Sequence, residues 1–337
     1  MSSKSLPTQG KLWQTCASVQ LLRRASLTKV VILLALHNGA PHLSEQLDSF
    51  LAQSEPDWAL SVGDDGSTDA GPQIVQHYAR AEKPRQITVT PGPQRGGAAN
   101  FLSLLALVPA GQPYTCFSDQ DDVWLPHKLS RAILQIEAAA TNGPICYFSR
   151  TLICREDLSN PRLSRPQSRL LGFRNALVQN VVAGNTIMVN AAALAVLQAA
   201  YADLNGAETV LLHDWWVYQI LSGVGATFIS DDMPGLLYRQ HSGNQIGAND
   251  GLRAQIMRLG MMMQGTYAMW NQRNLAAIRP ALHRFTPENQ EIFHRFESAR
   301  QAGRWWTRAS GLRASQVYRQ GRLSHLALYF TALTNRI

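Results

Sequence analysis

Asp119, Asp121 and Asp122 lie within four positions, directly after the apolar-leaning residues 114–117. Like charges at the end of a buried strand repel one another and resist desolvation. A divalent cation removes this problem, and Mg²⁺ or Mn²⁺ prefers oxygen ligands. Mg²⁺ typically takes one or two carboxylates and completes its shell with substrate phosphates. The cluster therefore predicts a metal that holds a phosphorylated substrate; the alternative is a solvated acidic turn.

Strands and helices alternate over the first part of the chain, which places several acidic residues at one edge of a predicted sheet. The pattern predicts strands over residues 30–36, 58–62, 86–90 and 114–117, and helices over residues 42–53, 71–81 and 100–108. This alternation indicates parallel pairing, with ligands beyond the carboxyl ends of the strands. Asp64 and Asp65 follow the second strand, so we expect them near Asp119 and Asp121.

The later elements alternate less regularly. The pattern predicts a helix over residues 126–139, strands over 145–154 and 226–230, and a helix that His213 and Asp214 open. We divide the chain into an N-terminal extension (1–28), an α/β domain (29–249) and a basic helical tail (250–337).

Composition restricts the class of protein. No apolar run approaches the roughly 20 residues that span a bilayer, and we see no secretory signal. The four cysteines form no Cys-x-x-Cys pair, which indicates reduced thiols in a cytosolic protein and no zinc site.

The positive charge lies in the tail. Residues 251–337 contain 13 Lys and Arg against 3 Asp and Glu, whereas the first 250 residues have a net charge of −2. No nucleic-acid-binding module is recognisable, so we expect no nucleic acid partner. A basic helical tail with aromatic residues indicates an anionic membrane surface; a solvated helix face is the alternative.

Four motifs in order resemble the inverting family 2 glycosyltransferases with the GT-A fold, and the resemblance covers about residues 28–249. They are His37-Asn38-Gly39, Asp64-Asp65-Gly66-Ser67-Thr68-Asp69, Asp119-Gln120-Asp121-Asp122 and His213-Asp214-Trp215-Trp216. The form of the third motif, with Tyr238-Arg239-Gln240-His241 and Asn244 downstream, is similar to the bacterial rhamnosyltransferase-like branch that builds O-antigen and exopolysaccharide. The resemblance implies an α/β fold with a GT-A-like, Rossmann-like, mostly parallel central sheet flanked by helices, and a helical C-terminal extension.

The resemblance also implies roles around the donor diphosphate. Asp121 would coordinate the metal that bridges the phosphates, with Asp119 near the ribose or a metal-bound water. His241 would reach the metal or the diphosphate, or else be structural. A guanidinium matches phosphate bidentately, so Arg239 is the candidate phosphate partner. Asp122 would support the metal site or face the acceptor, and its alternative is a turn residue.

The resemblance also implies which residues contact the base and the sugar of the donor. A carboxylate only accepts hydrogen bonds, so Asp65 is suited to the ring N–H of uracil or thymine. Asp64 would support this loop, and His37 and Asn38 would pack against the base. Two further residues in and after a glycine-rich link would approach the donor sugar: Arg95 and Asn100.

Asp214 is the candidate general base. Inversion requires a carboxylate that takes the proton of the acceptor hydroxyl as its oxygen attacks the anomeric carbon. His213 stands where the family usually has an acidic residue, and a helix cap is the alternative role for Asp214. Three tryptophans would stack on acceptor sugars, with core packing as their alternative; they are Trp124, Trp215 and Trp216.

The sequence therefore predicts an inverting, metal-dependent transferase that acts on a UDP- or dTDP-activated hexose or deoxyhexose, with dTDP-rhamnose as one candidate. We expect the acceptor to be a hydroxyl of a growing cell-surface polysaccharide or lipid-linked glycan, at the cytoplasmic side of the membrane. The alternatives are a catalytically degenerate, membrane-associated binding subunit and a sugar nucleotidyltransferase. The first strand lacks the glycine-rich phosphate loop of the latter class, and a dinucleotide oxidoreductase is disfavoured by the missing Gly-x-Gly-x-x-Gly.

Overall fold

The computed structural model describes residues 28–82, 85–204, 210–241, 266–334 and 336–337. Four parts of the sequence analysis lie outside these ranges: the predicted extension before residue 28, Cys16, Asn244 and tail residues 250–265. The first elements are β1 (Val30–Leu36), α1 (Ala40–Leu51), β2 (Trp58–Asp64), α2 (Gly71–Ala81), β3 (Ile87–Pro91), α3 (Gly97–Leu107) and β4 (Tyr114–Ser118). The predicted alternation of strands and helices is confirmed over this part.

The elements that follow are more irregular. They are β5 (Val123–Trp124), α4 (Lys128–Glu137), β6 (Ile145–Cys154), β7 (Arg162–Leu163), α5 (Phe173–Ala176), the 3₁₀ turn Gly184–Thr186, β8 (Met188–Asn190), α6 (Ala191–Asp203), α7 (His213–Gly223) and β9 (Thr227–Arg239). The C-terminal region contains α8 (Thr266–Ile278), the 3₁₀ segment Arg279–Arg284, α9 (Pro287–Gln301), α10 (Trp305–Ser315) and α11 (Arg322–Leu333). The sequence pattern does not indicate α6, and the strand that it predicts over residues 226–230 is the first part of β9, which continues for nine more residues.

The described strands form one mixed sheet in the order β3-β2-β1-β4-β8-β6-β9-β5, with β7 paired to β6. The run from β3 to β4 is parallel, as is the long β6/β9 pair. The β8 strand pairs antiparallel with both β4 and β6. Since β8 runs against β4, the Gly184–Thr186 turn before it lies at the carboxyl end of β4. That edge of the sheet is where ligands bind in folds of this kind.

The sheet is covered on both faces, as the continuous apolar run in β1 predicts. Ile32 and Leu34 belong to one buried cluster with Phe50, whereas Leu33 belongs to the other. Burial of each such side chain contributes roughly 1.5–3 kcal/mol relative to exposure. The second cluster also includes Phe293, Phe296, Leu312 and Leu328 of the C-terminal helices. The C-terminal helices therefore share the hydrophobic core of the α/β sheet.

The structure bears on two expectations from composition, which concern membrane-spanning segments and disulfide bonds. Within the described ranges, no helix combines the length and apolar character that are needed to cross a bilayer. The thiols of Cys116, Cys146 and Cys154 are buried and free of disulfide bonds.

Candidate active site

His241 and Asp121 meet beside the carboxyl end of β4. The Nε2 atom of His241 lies 2.7 Å from Oδ2 of Asp121, and both side chains are partly exposed, at 17% and 16%. A carboxylate and an imidazole on an open site are ligands that a divalent transition metal accepts. In the described part of the chain, no three His, Cys, Asp or Glu side chains are grouped to hold a metal ion. A cation here would therefore take its remaining ligands from water or a phosphorylated substrate.

Arg239, at the end of β9, contacts the backbone of Asp121 rather than an open phosphate site. Its Nε donates to the Asp121 carbonyl oxygen at 3.0 Å, and its two Nη atoms contact the Glu45 carboxylate and the Glu156 carbonyl oxygen. The side chain is buried. The prediction that Arg239 binds the donor diphosphate is therefore corrected: its guanidinium fixes the backbone that presents Asp121.

Asp119 lies among other carboxylates. Burial, together with the negative charges of Asp121 and Asp214, raises the pKa of Asp119 to about 7. Because the adjacent residues Gly184 and Asn185 bond to Asp214 and Asp122, Asp214 of α7 is close to the acidic cluster that follows β4. The structure thus brings together three predicted site residues that are up to 95 positions apart in the sequence.

Asp122 faces the protein interior. Its side chain is fully buried, and Oδ2 accepts a hydrogen bond of 2.7 Å from Nδ2 of Asn185. Its Oδ1 finds no hydrogen-bond partner among the described residues. Burial and the charges of Asp119 and Asp121 hold the pKa of Asp122 well above its ordinary value. This burial does not fit the prediction that Asp122 contacts an acceptor, whereas support of the metal site by Asp122 stays a prediction.

Lys128 places a buried ammonium group next to this cluster. Its Nζ donates to the Asn185 carbonyl oxygen and lies 3.9 Å from the centre of the Trp124 ring. Burial lowers the pKa of Lys128 to about 8, while Asp122 and Asp119 act in the opposite direction. Lys128 therefore supplies positive charge beneath the carboxylates. Lys128 is not recognisable as a site residue from the sequence, because nothing in the residues around it marks this lysine as buried or close to the carboxylates.

The Gly184–Thr186 turn orients Asp214. The Gly184 N–H donates to Asp214 Oδ2 at 3.2 Å, and the Trp215 N–H donates to Oδ1 at 2.7 Å. A Cβ on Gly184 would lie 2.5 Å from Nε2 of His213, so only glycine fits without displacement. Since Asn185 of the same turn holds Asp122, one turn fixes carboxylates on both sides of the site. The available sequence signal was a polar Gly-Asn-Thr run between apolar residues.

The first predicted turn is attached to the acidic cluster by Gln120. The His37 N–H donates to Gln120 Oε1 at 2.9 Å, and Gln120 Nε2 donates back to the His37 carbonyl oxygen at 3.1 Å. Asn38 has a left-handed backbone, with φ of 50°, and its Oδ1 accepts the Thr68 N–H at 2.8 Å. His37 and Asn38 are exposed at the sheet edge. Gln120, which lies between Asp119 and Asp121, thus connects the acidic cluster to the turn after β1.

Asp64 and Asp65 organise the loops that follow β2 and β3. Asp64 Oδ1 accepts the Ser67 N–H at 3.0 Å, which closes the loop. The two Asp65 oxygens accept the backbone N–H groups of Gln94 at 2.6 Å and Gly96 at 2.7 Å. A carboxylate oxygen can accept more than one hydrogen bond, so these contacts leave lone pairs for a ligand.

Two residues predicted near the donor sugar differ in exposure. Arg95 is exposed in the glycine-rich link. Asn100 is 1% exposed, and its Nδ2 donates to the Gly63 carbonyl oxygen at 2.7 Å. The prediction that Asn100 binds the donor is corrected, because its side chain joins α3 to β2 inside the protein.

The three candidate tryptophans are buried, with 1–2% of each side chain exposed: Trp124, Trp215 and Trp216. Trp124 packs edge-on against Phe50 with ring centres 4.6 Å apart. Trp215 Nε1 donates to the Ala176 carbonyl oxygen at 2.7 Å. The prediction that these rings stack on acceptor sugars is therefore wrong for this structure, and core packing is their observed role.

The chain is similar to known glycosyltransferases. Residues 31–197 match the model of the family described as Glycosyl transferase family 2. The chain is 28% identical to dTDP-rhamnosyl transferase RfbG of Shigella flexneri over 253 residues, which are 74% of this chain and 84% of that protein. It is 31% identical to the uncharacterized glycosyltransferase alr2836 of a Nostoc species over 106 residues, 31% of this chain and 32% of the relative.

The fold is similar to that of S. aureus TarS 1–349 in complex with UDP-GlcNAc. The TM-score is 0.54 at 13% identity, over 91% of this chain and 90% of TarS 1–349. This likeness supports the GT-A-like sheet, and the family match covers the strands that present Asp64, Asp65, Asp119 and Asp121. The family match over residues 31–197, about half of the chain, and the likeness to RfbG support a family 2 glycosyltransferase.

Proposed function

We propose that the chain is an inverting, metal-dependent transferase that moves a hexose or deoxyhexose from a UDP- or dTDP-sugar to a glycan hydroxyl. One observation carries this proposal: Asp121 with His241, and Asp214 with its two backbone N–H donors, converge on the carboxyl end of β4. The first pair is suited to the leaving diphosphate, and the second group is suited to the attacking hydroxyl.

The diphosphate side requires positive charge. Asp121 and His241 would hold Mg²⁺ or Mn²⁺, which supplies Lewis-acid stabilisation of several kcal/mol at phosphoryl oxygens when bound. The residues fit such an ion, because Asp121 and Asp119 stand in an acidic cluster in which burial, together with the charges of Asp121 and Asp214, raises the pKa of Asp119 to about 7. Arg239 and Gln120 position the backbone on either side of Asp121.

Asp214 would act as the general base. The N–H groups of Gly184 and Trp215 each bond to one of its oxygens, and the first turn of α7 favours a negative charge. These contacts orient the carboxylate and leave lone pairs to accept a proton. The acceptor oxygen loses its proton to Asp214 as it bonds to the anomeric carbon, and the bond to the diphosphate breaks on the opposite side.

The donor base would lie between the first turn and the loop after β2. Asp65 is the candidate acceptor for the ring N–H of uracil or thymine, with His37 and Asn38 at the edge of this pocket and Arg95 nearer the sugar. The name of the relative, a dTDP-rhamnosyl transferase, favours dTDP-rhamnose among the possible donors. The acceptor would be a polysaccharide or lipid-linked glycan, handled at the cytoplasmic face of the membrane, as the family resemblance of the sequence motifs implies.

The test is calorimetric titration of the purified full chain with UDP and with dTDP, with and without Mn²⁺. We expect binding of one nucleotide that strengthens when Mn²⁺ is present, and the stronger ligand identifies the base. Asp232→Asn is a matched control, because Asp232 has an 85% exposed side chain away from the cluster. Failure of both nucleotides to bind with Mn²⁺ present would contradict the proposal.

A further inference from the structure

The outer face of α11 is apolar. Leu323, Leu326, Phe330 and Leu333 follow one another at steps of three, four and three positions, which places them on one side of a helix. Their side chains are 76%, 66%, 48% and 44% exposed. Other residues of the same helix, including Leu328 and Ala332, are buried in the core. Helices at the surface of soluble domains normally place polar residues outward, so this stripe is suited to an apolar or interfacial environment.

Two exposed tryptophans lie beside the end of this stripe. Arg308 Nε donates to the Ala332 carbonyl oxygen at 2.8 Å, which brings the first turn of α10 to the last turn of α11. That first turn contains Trp305 and Trp306, which are 54% and 48% exposed. An indole ring combines apolar area with one N–H donor, and such rings are enriched at the boundary between lipid and water.

The segment that contains the stripe is basic. Residues 298–337 contain seven arginines and no acidic residue, and two of these arginines, Arg308 and Arg319, are buried. Arg304 and Arg322 are exposed, and Arg304 lies over the Trp306 ring at 5.3 Å. An apolar stripe bordered by arginine is complementary to anionic lipid headgroups above acyl chains. A second copy of the chain would bring the same arginines together in a twofold contact, which disfavours self-association.

We propose that the stripe of α11, together with Trp305 and Trp306, is a docking surface for an anionic lipid bilayer. The helix would lie in the plane of the interface, with its leucines and Phe330 below the headgroups and the arginines among them. No spanning segment is required for this mode of binding.

The docking surface is connected to the acceptor side of the active site. The carbonyl oxygen of Tyr318, just before α11, accepts the side-chain N–H of Asn175 in α5 at 2.9 Å. The next residue of α5, Ala176, accepts the indole N–H of Trp215, the neighbour of Asp214. Docking would therefore hold Asp214 at a fixed position relative to the bilayer. This consequence rests on the proposed function, whereas lipid binding itself does not.

The experiment is sedimentation of the full chain with vesicles of phosphatidylcholine, alone or mixed with phosphatidylglycerol. We expect binding to the anionic vesicles, weakening with salt. The double variant Leu326→Ser, Phe330→Ser should bind at least about tenfold more weakly, because it lacks two apolar side chains that would be buried in the bilayer. Leu134→Ser is the matched control, since Leu134 is 60% exposed on α4 and outside the surface. Arg304→Gln with Arg322→Gln should reduce the preference for anionic lipid.

Three results would overturn the proposal. The first is that the wild-type chain does not bind anionic vesicles. The second is that the double variant binds them as strongly as the wild type. The third is that the wild-type chain binds no lipid but forms an oligomer, which the two substitutions abolish. Circular dichroism checks that the double variant is folded. Calorimetry with UDP and dTDP separates the two proposals, because loss of lipid binding with retained nucleotide binding concerns the docking surface alone.

Discussion

Asn185 donates its Nδ2 to Oδ2 of the buried Asp122 over 2.7 Å, between side chains 63 positions apart. The preceding residue, Gly184, donates its N–H to Asp214. One turn between α5 and β8 therefore links the acidic cluster after β4 with the first turn of α7. The Gly184–Thr186 turn thus sets the spacing between the Asp119–Asp122 cluster and Asp214.

Replacement of Asn185 by alanine should lower the stability of the protein and the rate of transfer while leaving nucleotide affinity unchanged. It leaves Asp122 without its donor inside the protein, and loss of such a buried partner costs about 1–3 kcal/mol of unfolding free energy. We expect kcat for transfer to fall more than KM changes, with nucleotide affinity retained. Urea denaturation and steady-state kinetics measure these effects. Asn142→Ala, at an exposed loop position, is the control, and unchanged stability and kcat in Asn185→Ala would contradict the positioning role.

Asp121→Asn should weaken metal-dependent nucleotide binding and abolish transfer. The substitution removes the negative charge that would attract the cation but keeps the size of the side chain, so folding should be preserved. Calorimetry with Mn²⁺ and the preferred nucleotide is the measurement, and Asp232→Asn is the control. Metal-dependent binding as strong as that of the wild type would show that Asp121 does not hold the metal.

Asp214→Asn should abolish transfer and leave nucleotide binding intact. An amide cannot take the acceptor proton, and loss of a general base costs about 10²–10⁴-fold in rate. A helix-capping role for Asp214 gives a different result, because asparagine caps a helix about as well as aspartate does: stability and activity would both be retained. A transfer assay and urea denaturation on the same preparation distinguish the two roles.

The sequence predicts those parts of the fold and site that depend on local patterns. The bounds of β1 and α2 agree with the structure, because a continuous apolar run and a Gly-Pro start are strong signals. The sequence predicts ligand contacts for Asn100 and Trp215, since their residue types suit binding, but a residue type does not reveal burial. Lys128 and Asn185 were not identified, because their contacts form only when β8 is inserted beside β4.

The stability of the metal-free protein should depend on pH through Asp119. Burial and the neighbouring carboxylates raise the pKa of Asp119 from 3.8 to about 7 on folding. A raised carboxyl pKa means that the folded state holds the proton more tightly than the unfolded state does. The contribution to stability is therefore fully present below about pH 4 and is lost as the pH rises through about 7. Burial shifts the pKa of Asp122 in the same direction.

Urea denaturation in the presence of a chelator, at several values between pH 4 and pH 8, measures this effect. We expect the Asp119 contribution to the unfolding free energy to fall over this range, and Asp119→Asn to reduce the slope, because an amide does not titrate. Lys128, with its pKa lowered to about 8, makes the unfolding free energy rise with pH, but only at pH values above this range. Added Mn²⁺ should restore stability most at the upper end, where the carboxylates are ionised. Identical slopes in wild type and Asp119→Asn would show that Asp119 is not the group responsible.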